Sequence, residues 1–142
     1  MKGGSWVLLI VALAGLILLA ACSGGPEPAY RGGPRLRAEP AAVDFGTVPA
    51  RTVVKASFAL ENMGDSPLNI ERGTIKVVEG CCPPEPRLSS SSIEPGKKAT
   101  LSMEFTMHGD MVGPHLFQVQ LYSNDAVSPV TTLEVKGVFL SE

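Results

Sequence analysis

VKASFALENMGD, residues 54–65, alternates apolar and polar side chains and then breaks into a turn. Val54, Ala56, Phe58 and Leu60 fall on one side of an extended chain and Lys55, Ser57 and Glu61 on the other, because successive side chains of a strand point to opposite faces. Asn62-Met63-Gly64-Asp65 then supplies the residues that a tight reversal favours. The same rhythm returns in Leu101, Met103, Phe105 and Met107 against Ser102, Glu104 and Thr106. It returns again in Phe117, Val119 and Leu121 against Gln118, Gln120 and Tyr122, and in Leu133 and Val135 against Thr132, Glu134 and Lys136. Glu94-Pro95-Gly96-Lys97 and Ser123-Asn124-Asp125 punctuate these runs, and no segment after residue 40 has a helical period. The pattern predicts an all-β, antiparallel β-sandwich of about seven strands. They are expected over 42–46, 52–62, 67–78, 86–91, 97–107, 115–123 and 130–139.

The residues before the sandwich have another character. Lys2 is followed by Trp6 to Ala21, sixteen residues without a charged or strongly polar side chain. A transmembrane helix needs about 20 apolar residues, whereas a short basic start, an apolar stretch and small residues before a cut site describe an export signal. Leu19-Ala20-Ala21-Cys22 is similar to a bacterial lipobox, in which the cysteine thiol takes a diacylglyceryl group and becomes the new first residue. A thiolate is the nucleophile that this chemistry requires. The expectation is a lipoprotein signal peptide over 1–21, lipidation at Cys22, and a domain held outside the cytoplasm in the cell envelope. Residues 22–39, dense in Gly, Pro and charge, read as a flexible tether with an average reach of about 20–25 Å. Residues 40–142 are enough for one domain with one core.

Within that domain DFGTV at 44–48, FALENMGDSPLNI at 58–70, IEPGKKATLSMEF at 93–105 and SNDAVSPVTTLEVKGVF at 123–139 resemble the Hydin-type immunoglobulin-like domains. They are similar as well to bacterial domains of unknown function related to that group and found on exported proteins. The resemblance covers nearly all of residues 40–140 and rests on strand and turn markers. It implies an immunoglobulin-like sandwich acting as a binding or scaffolding module, with no catalytic residues to carry over.

Charge and motif narrow the function further. Once Lys2 leaves with the leader, eleven Lys and Arg face fourteen Asp and Glu. A mildly acidic chain lacks the clustered cations that give phosphate affinity, so nucleic acid is excluded as a partner. There is no HExxH, no phosphate-cradling glycine loop and no dinucleotide fingerprint. The run Ser89 to Ser92 reads as a polar loop and not as part of a nucleophilic triad. The chain is not expected to be an enzyme.

Two short segments stand out chemically. Cys81 and Cys82 are adjacent, between Gly80 and Pro83-Pro84, and both histidines of the chain lie in MHGDMVGPH at 107–115. Thiolate, thioether and imidazole together are the ligands favoured by copper(I) or another soft metal. If successive strands alternate direction, the loops after the first, third and fifth strands share one end of the sandwich. Cys81, Cys82, His108, Met111 and His115 would then converge there as a metal site. Met103 belongs to the core, and Met107 follows the same inward parity. Three readings stay open for this end: a soft-metal site, a structural or protein-interaction module of the envelope with no metal, and a redox role for the vicinal cysteines. A disulfide between neighbours would be strained, since adjacent Cα atoms lie about 3.8 Å apart, short of the usual disulfide range.

Overall fold

The computed structural model describes residues 30–109 and 111–141. The expected leader over 1–21, the expected lipidation site Cys22 and the start of the expected tether lie outside this range. Nine strands follow in chain order: β1 Leu36–Glu39, β2 Ala42–Val48, β3 Val54–Asn62, β4 Leu68–Glu79, β5 Arg87–Leu88, β6 Ser92–Ile93, β7 Lys98–Phe105, β8 Gly113–Ser123 and β9 Val130–Phe139. One sheet has the order β1-β3-β7-β5 and the other β2-β9-β8-β4-β6, which makes an immunoglobulin-like sandwich.

The alternation that opens the sequence is the reason the two sheets close on each other. In β3, Val54, Ala56, Phe58 and Leu60 are buried while Lys55, Ser57 and Ala59 are exposed. Leu101 and Met103 of β7 continue that face across the register Phe58↔Leu101 and Ala56↔Met103. Phe117, Val119 and Leu121 of β8 oppose them from the second sheet, with Leu133 and Val135 of β9. Each such side chain contributes roughly 1.5–3 kcal/mol on full burial. The buried apolar residues among those described all fall between Leu36 and Phe139, so this span carries its own core.

Three features depart from the expected pattern. The segment read as tether up to residue 39 is ordered by its end: Leu36–Glu39 pairs with Asn62–Ala59 of β3, and Leu36 is buried. The expected strand over 86–91 is two short strands on different sheets. Arg87–Leu88 pairs with β7 and Ser92–Ile93 with β4, so the serine run carries the chain across the gap between the sheets. Finally the sandwich is mixed, because β2 runs parallel to β9 while every other pairing between these nine strands is antiparallel. Asp44 and Gly46 of DFGTV shape that edge. Asp44 Oδ1 accepts a 2.8 Å hydrogen bond from Gly46 N, Gly46 takes φ +61°, and the register against β9 slips between Asp44 and Thr47.

The connections sort the molecule into two ends. Arg51 N donates to Met107 O, and Leu140 N donates to Val48 O. These bonds gather the β2–β3 and β7–β8 connections and the end of β9 where β4 also finishes. The chain arrives at the opposite end, where Tyr30 bridges to Gly64 and Leu36 N donates to Asp125 Oδ2.

The end where Tyr30 arrives is held by two polar side chains that read in sequence as turn residues. Asn62 is fully buried: its Nδ2 donates to Ser66 O and Ile93 O at 2.8 Å each, and its Oδ1 accepts from Gly64 N and Arg35 N. Asp125, also fully buried, accepts from Leu36 N at 2.9 Å, Val127 N at 2.9 Å and Ser128 N at 3.1 Å, with Arg35 Nη1 3.7 Å away. Burial alone would raise the Asp125 pKa. The three N–H donors and the Arg35 charge outweigh it and hold the carboxyl below its ordinary value.

Candidate functional site

His115 sits two residues before Phe117 in β8 and shares its inward parity, so the ring enters the interior. It is 3 % exposed. Its ring centroid lies 5.4 Å from that of Phe139 and 5.9 Å from that of Phe117, and Phe105 in turn meets Phe45, Phe117 and Phe139 at about 6 Å. Imidazole thus takes a place in an aromatic cluster that closes this end of the core.

Both ring nitrogens have defined surroundings. Nδ1 lies 3.1 Å from Gly113 O. A carbonyl only accepts, so Nδ1 carries a proton, and in the neutral ring Nε2 then presents a lone pair. That lone pair faces Cys81 Sγ at 4.0 Å. Gly80, at the end of β4, makes this approach available. It has φ +84°, and a Cβ placed on it would lie 2.6 Å from His115 Cγ and 2.8 Å from Nε2. The chain before Cys81 therefore lies directly against the imidazole, which only glycine permits.

The other predicted site residues are distributed differently. Cys82, next to Cys81, is exposed and has φ +54°, an uncommon backbone state for a residue with a side chain. Neither cysteine is in a disulfide. His108 is exposed and borders a surface depression with Arg51, Thr106, Gly109 and Ser141. His115 borders a separate one with Asp44, Glu79 and Lys136. Met111 is half-buried against the core, and Met103 and Met107 are inside it. The loops do share an end, but of the five expected ligands the contact that forms is between Cys81 and His115. Among the described residues, no group of three or more His, Cys, Asp or Glu side chains is arranged to hold a metal ion. Beside this site Lys136 Nζ lies 3.3 Å from Asp44 Oδ2. The Gly46 N–H, and after it Lys136, hold the Asp44 carboxyl below its ordinary pKa. Gly80 was the residue that reading the sequence missed; its signal was a glycine directly before the cysteine pair, at a strand end.

The comparisons with known proteins bear on family and fold. The family described as "Protein of unknown function (DUF1573)" matches residues 36–139. No curated protein matches the sequence. Among solved structures, a protein of unknown function from Porphyromonas gingivalis W83 superposes with a TM-score of 0.62 at 19% identity. The match covers 79% of this chain and 49% of that one. The secreted serine protease VesC from Vibrio cholerae gives 0.53 at 12% identity, covering 76% of this chain and 23% of the protease. The ASH / PapD-like domain 7 of human CEP192 gives 0.49 at 13% identity, covering 88% and 94%. The chain therefore spans about half the length of the first of these proteins and about a quarter of the second. At these identities the likeness to the first two is one of fold.

Proposed function

We propose, from the premise that the chain belongs to the DUF1573 family, that it is a membrane-anchored, extracytoplasmic binding module whose partner is a protein of the cell envelope. The strand and turn markers shared with Hydin-type immunoglobulin-like domains, and the lipobox-like Leu19-Ala20-Ala21-Cys22, support this reading. The observation that carries it is the polarity of the sandwich. The chain arrives at the end where Tyr30 meets Gly64, so an anchor at Cys22 would tether the sandwich by that end and leave the His115 end the farther from the attachment point. The strands that separate the two ends are up to 12 residues long, which sets them about 30–40 Å apart.

That outer end carries apolar side chains in the open. Val53, Val78, Val112, Val138 and Leu140 are each between 39% and 62% exposed and lie on the segments that gather there. Single exposed apolar residues are ordinary, whereas several at one end match the anatomy of a contact surface. The sheet edges are poorer candidates. β5 and β6 have two residues each and β1 four, and the slip in β2 interrupts the flat edge that strand addition needs.

The test uses the full chain in cells, with a photo-crosslinking residue at Val78 or Leu140 and, as controls, at Val127 or Val130 of the other end. A discrete crosslinked species from the first pair alone is the expected result. Equal crosslinking from both ends, or none from Val78 and Leu140, overturns the reading. Cys22→Ser is expected to move the chain out of the membrane fraction, and retention there overturns the anchor.

A further inference from the structure

We propose that Cys81 Sγ and His115 Nε2 form a low-coordinate site for a soft monovalent cation of copper(I) chemistry. This stands apart from the partner-binding reading and rests on other observations.

Distance comes first. Thiolate and imidazole bonds to a first-row metal are about 2.3 and 2.0–2.1 Å. Donors that share one ion then lie about 4.3 Å apart when the bonds are collinear and about 3.6 Å apart at the tetrahedral angle. The 4.0 Å separation falls between these limits. An ion placed there has an angle of roughly 130–135°, between trigonal and linear. An angle of that size suits a site of few ligands, whereas structural zinc takes four at the tetrahedral angle.

The imidazole is already set for the task. Metal-bound histidines donate their other ring N–H to a carbonyl or carboxylate, which fixes tautomer and orientation. His115 does so to Gly113 O at 3.1 Å, leaving the Nε2 lone pair on the Cys81 side. Phe117 and Phe139 hold the ring in place.

Charge and softness then favour one class of ion. The ring is 3 % exposed and meets Phe117 and Phe139, where a net charge is costly, while on its open side it borders the depression with Asp44, Glu79 and Lys136. A monovalent cation with one thiolate and one neutral imidazole is neutral overall, while a divalent cation leaves one positive charge. Thiolate softness favours copper(I) on the same grounds. On binding, the S–H bond of Cys81 breaks, a sulfur–metal bond forms, and one proton passes to water for each ion taken up. No electron changes hands.

The experiment uses reduced residues 23–142, which contain the whole core and omit the Cys22 thiol. Copper(I) is titrated anaerobically against a colorimetric copper(I) chelator, with the His115 ring nitrogens followed by 15N NMR. One ion per chain is expected, with a large shift at His115 Nε2 and none of comparable size at His108. Cys81→Ser is expected to lower affinity by at least about 100-fold, while Cys82→Ser and His108→Ala stay within about threefold of the parent. An unmoved His115 Nε2, equal affinity in the Cys81→Ser variant, or an equal loss in Cys82→Ser overturns the site. Zinc that binds as tightly as copper(I) overturns the charge argument. Because the NMR arm reads the parent protein, it decides the question even where a variant folds poorly.

Discussion

Replacing Gly80 by Ala is the sharpest probe of the geometry at the outer end. The substitution adds one methyl group, and two separate penalties follow. Gly80 has φ +84°, where an L side chain costs about 1–2 kcal/mol. The new Cβ would also sit 2.6 Å from His115 Cγ, an atom near the ring's root that swinging the ring tip does not clear. Making room in a packed interior adds typically 1–3 kcal/mol, so the total is about 2–5 kcal/mol. With a urea slope of about 2 kcal/mol per molar, the unfolding midpoint of residues 23–142 should fall by roughly 1–2.5 M with the slope unchanged. Gly96→Ala is the matched control, since Gly96 has φ +70° with nothing within 4 Å of its Cβ position. It should lose only the backbone share, about 1–2 kcal/mol. The difference between the two variants measures the contact with His115. If Gly80→Ala costs no more than Gly96→Ala, the ring does not lie against residue 80, and the Cys81–His115 approach falls with it.

At the Tyr30 end, Asp125→Asn should cost about 2–3 kcal/mol at neutral pH, because charge-assisted bonds to buried N–H groups are lost or weakened. The Asp125 pKa is lowered in the folded chain, so its stabilisation is complete above the ordinary carboxylate value and is lost as pH falls from there through the lowered one. Urea midpoints of parent and variant should therefore converge below about pH 4; a gap that stays constant down to pH 2 contradicts the assignment. Asn62→Asp should cost more than Asn62→Ala at pH 7, where Ala already loses about 3 kcal/mol. The carboxylate would put a charge against Ser66 O and Ile93 O, which the amide now serves as donor. Equal midpoints for the two variants would refute that orientation of the amide.

The strands with a clean period of two were legible because burial and periodicity are there the same fact. β3, β7, β8 and β9 fall within a few residues of their expected bounds. Where pairing is decided by distant partners, the sequence is silent. Leu36 stands among glycines, prolines and arginines, and it becomes strand because β3 pairs with it, while Asp125, 89 residues away, takes its N–H. The parallel course of β2 is likewise set by which side of β9 remained open, not by its composition. Arg87–Leu88 and Ser92–Ile93 share one polar stretch that no local pattern divides between two sheets. Asn62 and Asp125 carry turn chemistry in any sequence, and only the fold turns them inward.

His115 shows how a partly legible site comes apart into what chemistry demands and what topology permits. Residue type and loop parity brought five soft or imidazole ligands to one end, and both were read from the sequence. Side-chain direction then divided them. His115 follows Phe117 into the interior, whereas His108 comes after β7 has ended and stays in solvent. A phenylalanine at 115 would fill the same aromatic setting without two polar nitrogens to accommodate. Imidazole there has to place each of them, and burying a polar atom without a partner is costly. Gly113 O answers Nδ1 with an ordinary hydrogen bond, but a thiol at 4.0 Å answers Nε2 only weakly. The weaker of these two matches, in the space between Nε2 and Cys81 Sγ, marks the place where an ion would add most.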